Sequence, residues 1–141
     1  MKKLLLVLFL IPFFSLAQSE PSKGDNTIVV KSDKEDLFDL AMMRLLQDGF
    51  EIKDSNEKYQ TISTESKKMS EYASYRFIIS IIDDQVQLQG RWKNDIGNAV
   101  FNTQGFEYEM VWKKKGGESH IWKYLESFAS NFGTDRTYFK K

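Results

Sequence analysis

Side chains able to do chemistry are few in this chain, and they are scattered. One histidine, His120, opens an apolar-periodic stretch near the C-terminus, and there is no cysteine. A lone imidazole can act as a general base or supply one metal ligand. A zinc site needs three or four such donors, however, and a catalytic histidine needs a nucleophile beside it. Only Glu118 lies close in sequence, so His120 reads as a surface residue near a helix start. Asp83-Asp84 could hold a cation or serve as paired carboxylates in glycoside chemistry. No alternating run of oxygen ligands follows them, and aspartate is an ordinary hairpin residue, so the pair reads as a turn. Glu107 and Glu109 share a strand face and read as its solvated side. Lys113-Lys114-Lys115-Gly116-Gly117 has the composition of an anion cradle but not the spacing of a phosphate-binding loop, and Glu118 would repel the ligand. No catalytic residue, metal set or cofactor motif emerges, and a carboxylate-dependent hydrolase ranks last among the functional readings.

Composition narrows the remaining classes. Lys2 and Lys3 precede the apolar run Leu4 to Phe14, and Ser15-Leu16-Ala17 follows with small residues where a signal peptidase inspects the chain. Residues 1–17 therefore read as a cleavable signal peptide, with the cut between Ala17 and Gln18. The run falls short of the roughly 20 apolar residues that cross a bilayer, and no cysteine follows it to take a lipid. The expectation is an exported protein, periplasmic or secreted, without a lipid anchor. Of its 141 residues, 124 remain, one domain's worth. Two of the 20 basic residues leave with the leader, so 18 face 20 acidic ones. That balance opposes nucleic-acid binding and polybasic attachment to membranes.

The elements that must position any site follow from periodicity. Residues 18–26 are polar and read as a flexible lead-in. Thr27 to Val30 is β-branched and starts the domain as a strand. Ser32 with Glu35 has capping-box spacing, and Phe38, Ala41, Met42, Leu45 and Leu46 recur at helical intervals, predicting a helix over 33–48. Gly49 is placed as its left-handed stop, with Phe50 folding back on Leu45. Phe50 to Lys53 and Tyr59 to Ser66 alternate as a hairpin around Asp54-Ser55-Asn56-Glu57. The strongest β signal is the pair flanking Asp83-Asp84. If those two residues form the loop, Ile81 faces Val86, Ile79 faces Leu88 and Phe77 faces Gly90. Phe106 to Trp112 predicts one more strand. Ser119 caps a last helix bearing Ile121, Trp122, Leu125, Phe128, Ala129 and Phe132, which Gly133 ends. Residues 134–141 read as a C-terminal tail. The class is α+β: an antiparallel twisted sheet of five or six strands with two helices on one face, in the order strand, helix, strands, helix, filling a single domain over 27–133.

Several stretches carry a family likeness: Ser15-Leu16-Ala17-Gln18, Leu37-Phe38-Asp39-Leu40-Ala41 leading to Asp48-Gly49-Phe50, Val86-Gln87-Leu88-Gln89-Gly90-Arg91-Trp92, and His120-Ile121-Trp122. In these the chain resembles small exported domains of unknown function from Bacteroidota with a TATA-binding-protein-like fold. More distantly it is similar to the C lipoprotein of the outer-membrane barrel assembly machine. The likeness covers most of the mature chain and departs from it between Lys93 and Gly117. It implies a strand, a helix, four strands and a second helix. The lipid anchor of the distant relative does not carry over, and neither does the nucleic-acid binding of the fold's namesake.

Helices can cover only one face of the central hairpin. The same register puts Arg76, Ile78, Ser80, Ile82, Gln87, Gln89 and Arg91 on the other. An amphipathic, glutamine-rich face suits contact with an unknown protein or small ligand better than a dry core. The leading reading is an exported non-catalytic binding module using this face, and the alternative is a structural partner in an envelope complex. Intact mass of the protein recovered from the producing cell's envelope or medium is expected to correspond to a chain beginning at Gln18. A mass that retains residues 1–17 would contradict the leader.

Overall fold

Ten residues from Ala73 to Ile82 (β5) and ten from Gln85 to Asn94 (β6) zip together without a bulge. Phe77, Ile79 and Ile81 of β5 and Val86 and Leu88 of β6 stand at alternate positions, so a slip of one residue would turn them away from the core. Ile81 pairs with Val86, Ile79 with Leu88 and Phe77 with Gly90, the partners expected from sequence. Asp83 turns the chain in the left-handed region at φ 53°. The Ser32 N–H donates to the Asp84 carbonyl at 2.8 Å and ties this turn to the first strand. The structure is a computed structural model and describes residues 20–71, 73–94, 109–111 and 120–141.

Four shorter segments flank the hairpin. Thr61–Thr64 (β3) and Lys67–Ser70 (β4) pair with successive halves of β5. Thr27–Lys31 (β1) and Glu109–Met110 (β7) do the same for β6. Outside them, Ile52–Asn56 (β2) pairs with β3, and Asp135–Phe139 (β8) pairs with β1. The antiparallel sheet thus has eight strands, its main path running β2-β3-β5-β6-β1-β8. This corrects the expected five or six strands and the order ending in a helix. β4 and β8 are short and carry almost no large aliphatic residues, so neither announces itself by periodicity. Residues 135–139, read as tail, form the sheet's outermost strand. Arg136 and Tyr138 face the core side there, while Asp135, Thr137 and Phe139 are exposed. The Asn26 amide seals the join, donating to the Lys141 carbonyl at 3.0 Å and accepting from its N–H at 2.9 Å.

Leu37–Gln47 (α1) and His120–Ala129 (α2) close the core. Leu37, Ala41 and Leu45 from α1 join Ile121, Trp122, Leu125, Phe128 and Ala129 from α2 in one cluster with Ile28, Val30, Phe77, Ile79, Ile81, Val86 and Leu88. All seven of these strand residues share one face, as their pairing requires. α1 starts four residues later than the Ser32–Glu35 box predicted. The Ser32 hydroxyl donates instead to the Phe132 carbonyl at 2.6 Å, satisfying a buried acceptor, and Asp36 at φ 53° precedes the helix without a side-chain cap. The stop matches expectation. Gly49 sits at φ 75°, its N–H donates to the Leu46 carbonyl, and the Phe50 N–H donates to the Leu45 carbonyl, both at 3.0 Å. These two bonds make a Schellman motif, which needs a residue free of a β-carbon at the left-handed position. The predicted strand over 106–112 and the Ser119 cap fall largely outside the described residues, with β7 and buried Val111 in the middle of that strand.

Two changes test this packing. Leu125 is buried between the helix and Gly90, so Leu125→Ala is expected to cost about 2–5 kcal/mol in urea unfolding. A β-carbon on Gly133 would lie 2.7 Å from the Lys31 carbonyl oxygen. Gly133→Ala must therefore shift β1, and a loss of about 1–3 kcal/mol is expected.

Candidate functional site

Because neighbouring strands hold matching residues at matching heights, the face of the sheet away from the helices is laid out in rungs. Arg76 stands opposite Arg91, Ile78 opposite Gln89, Ser80 opposite Gln87, and Ile82 opposite Gln85. The structure therefore brings all seven residues singled out from sequence onto one surface. β3 extends the middle rungs with Ser63 and Thr61, and β1 extends them with Thr27 and Val29. Phe139 and Thr137 of β8 complete them. One step beyond the arginines, Lys68, Ser74 and Lys93 form a further rung.

The amides of this surface are held in place. Gln89 Nε2 donates to Thr27 Oγ1 at 3.0 Å, and that hydroxyl donates to Asn26 Oδ1 at the same distance. Lys141 Nζ donates to Gln87 Oε1 at 2.9 Å. The glutamines thus lie across the face and help bury Thr27, which is fully inaccessible to solvent. Ile82, at the turn end, remains 53% exposed, and Phe139 on the outer strand 46%. The result is a half-buried polar plane, guanidinium at one end and amide and hydroxyl in the middle, with single apolar side chains between.

A hollow of about 420 Å³ opens at the turn end. Leu37, Phe38 and Ile81 line it together with Asp36, Asp39, Glu57, Asp83, Asp84, Gln60 and Lys34. Sequence reasoning missed it because its carboxylates come from three separated segments. Asp36, Gln60 and Asp83, the non-glycine residues with positive φ among the described positions, all border it. Asp84 reaches Lys31 at 3.5 Å, and Lys34 Nζ donates to the Asn131 carbonyl at 2.7 Å. Among the described residues, no three histidine, aspartate or glutamate side chains converge as metal ligands. Arg76 lies six residues along β5 from Ile82, roughly 20 Å at strand rise. Along the central hairpin, Asp83 and Asp84 thus stand at the turn and Arg76 and Arg91 toward the other end.

His120 is exposed at the start of α2, beside a small recess lined by Met69, Tyr75, Ile121 and Tyr124. Tyr124 serves the packing of the helices. Its ring stacks on Phe77 at 4.9 Å, and its hydroxyl donates to the Asp48 carboxylate at the end of α1. Lys67 completes that helix end, its Nζ donating to the Asp48 carbonyl at 3.2 Å and standing 4.5 Å from the Phe50 ring centre. A cation there complements the helix dipole. The Lys113–Gly117 loop and Glu107 lie outside the described residues, as does the side chain of Glu109. No protein-family model matches the chain, and no curated protein matches it in sequence.

Burial, and then the Asp48 carboxylate, push the pKa of Tyr124 well above its usual value, and burial raises that of Tyr75. The folded chain then keeps protons that the unfolded chain has lost. The stability these groups contribute is complete below about pH 10 and declines as pH rises past it. Urea midpoints measured from pH 9 to pH 11 are expected to fall, and Tyr124→Phe is expected to flatten that fall. At pH 7 the same change should cost about 1 kcal/mol for the lost hydrogen bond.

Proposed function

We propose that this chain is an exported, non-catalytic binding module whose contact surface is the open face of its sheet. The observation that carries the reading is the rung pattern. Arg76, Ile78, Ser80, Ile82, Gln87, Gln89 and Arg91 form one continuous surface on the side away from both helices. A sheet that needed this side only for solvation would tolerate any polar residues there. Here the amides are fixed by hydrogen bonds to Thr27 and Lys141 and are pre-organised for contact. The likeness to exported TATA-binding-protein-like domains agrees with a leader that delivers the module to the envelope or the medium.

A second reading, assembly within an envelope complex, draws on the sheet edges. The β2 edge carries a bulge between Ile52 and Asp54 and the charged pair Lys53-Asp54, features that discourage pairing. β8 matches β1 in an unbroken five-residue ladder and stands at the other end of the strand order.

Tagged protein and its variants, incubated with envelope and culture-supernatant fractions, separate the two readings. Gln87→Glu and Arg91→Glu are expected to keep the wild-type circular dichroism spectrum while losing at least fivefold of the captured partner. Lys123→Glu, on the exposed side of α2, should leave capture unchanged. Equal loss in all three variants, or none in any, would sink the open face as the contact surface.

A further inference from the structure

We propose that the hollow beside the central turn binds an aliphatic polyamine, a methylene chain carrying two or more ammonium groups. This goes beyond the open-face reading, because Leu37 and Ile81 in the hollow belong to the core that the helices cover. Three segments wall it: the start of α1, the turn between β2 and β3, and the turn between β5 and β6. Backbone bonds join them. The Ile81 N–H donates to the Gln60 carbonyl at 2.9 Å, and the Ser32 N–H donates to the Asp84 carbonyl at 2.8 Å. A space of about 420 Å³ is thus formed before any ligand arrives.

The lining combines the two kinds of contact that a polyamine needs. Leu37, Phe38 and Ile81 give apolar surface for methylene groups, and the Phe38 ring attracts an ammonium as well. Five carboxylates surround them: Asp36, Asp39, Glu57, Asp83 and Asp84. Among the described residues only Asp84 of these forms an ion pair, with Lys31 at 3.5 Å. The one ammonium in the lining, that of Lys34, donates to the Asn131 carbonyl at 2.7 Å. The start of α1 alone would favour an anion, but Asp36 and Asp39 reverse that preference. Gln60 donates its amide nitrogen to the Glu57 carbonyl at 2.7 Å, which leaves its amide oxygen to accept from an ammonium.

The spread of the charges selects the ligand. Among the described residues no three carboxylates converge as metal ligands, so one small cation does not reach three of them at once. A chain with ammonium groups a few methylenes apart reaches carboxylates on separate walls while its stem rests on apolar side chains. An anion is repelled. A neutral apolar ligand would desolvate the carboxylates without pairing them.

Isothermal titration calorimetry of the processed protein with spermidine at low salt tests the assignment, with butylamine and magnesium as controls. Spermidine is expected to bind about tenfold more tightly than either, and more weakly as salt rises. Glu57→Gln and Asp83→Asn should each weaken it about threefold, the worth of one exposed ion pair. Asparagine tolerates the left-handed backbone at residue 83, so that variant keeps the fold. Phe38→Leu keeps the apolar contact and should weaken binding about threefold through loss of the ring. Glu71→Gln, between β4 and β5 at the far end of the hairpin, should change nothing. Absence of spermidine binding overturns the site, and so does magnesium competing as well as spermidine. Equal losses in Glu71→Gln and Glu57→Gln would mean a diffuse charge effect and no site. A lysine-rich peptide that binds far more tightly, and weakens in the same variants, would replace the polyamine with a basic protein segment. The open face stands or falls on its own variants, which leave the hollow intact.

Discussion

The pairing of β5 with β6 is the constraint on which everything else in this molecule depends. Ten residues matched to ten with no bulge put Phe77, Ile79, Ile81, Val86 and Leu88 on one side and Arg76, Arg91, Gln85, Gln87 and Gln89 on the other. A slip of one residue would exchange the two sides, losing the core and the open face together. Each strand is also too long for any single neighbour in the chain to cover. β3 and β4 share the outer edge of β5, and β1 and β7 share that of β6. The sheet grows outward from the hairpin in short pieces.

That arrangement explains why the two helices stand where they do. The core side of the hairpin offers Phe77, Ile79, Ile81, Val86 and Leu88 in a continuous patch, with Gly90 leaving room for Leu125. α2 settles over this patch with Trp122 fully buried, and α1 packs beside it. The hydroxyl of Tyr124 reaches the carboxylate of Asp48 and joins the second helix to the end of the first. Ser32 links the end of α2 back to β1, and through the Asp84 carbonyl β1 is tied to the central turn. Side chains that looked like local caps or surface decoration are ties between distant elements.

The helices close one side of the sheet, and the proposed contact surface lies on the other. Its chemistry is graded along the hairpin, from carboxylates around the turn through amides and hydroxyls to arginines at the far end.

Local pattern was enough for much of this. The alternation of Phe77, Ile79, Ile81, Val86 and Leu88 around two aspartates determines the central register, and with it the membership of the open face from Arg76 to Arg91. The helical spacing in α1 and α2 and the Gly49 stop are equally local, because each depends on residues within one or two turns. Tertiary structure decided the rest. Ser32 has a capping-box sequence, yet its hydroxyl goes to Phe132, 100 residues away, because a buried carbonyl needs a donor more than an exposed helix start does. Residues 135–139 lack the apolar content to declare a strand, and they become one because β1 has an edge to fill. The acidic hollow is assembled from three distant segments, and no window along the chain contains it. Short-range periodicity reports what a segment can bury by itself. Which backbone groups and charges meet depends on how the segments are brought together, and only the folded chain decides that.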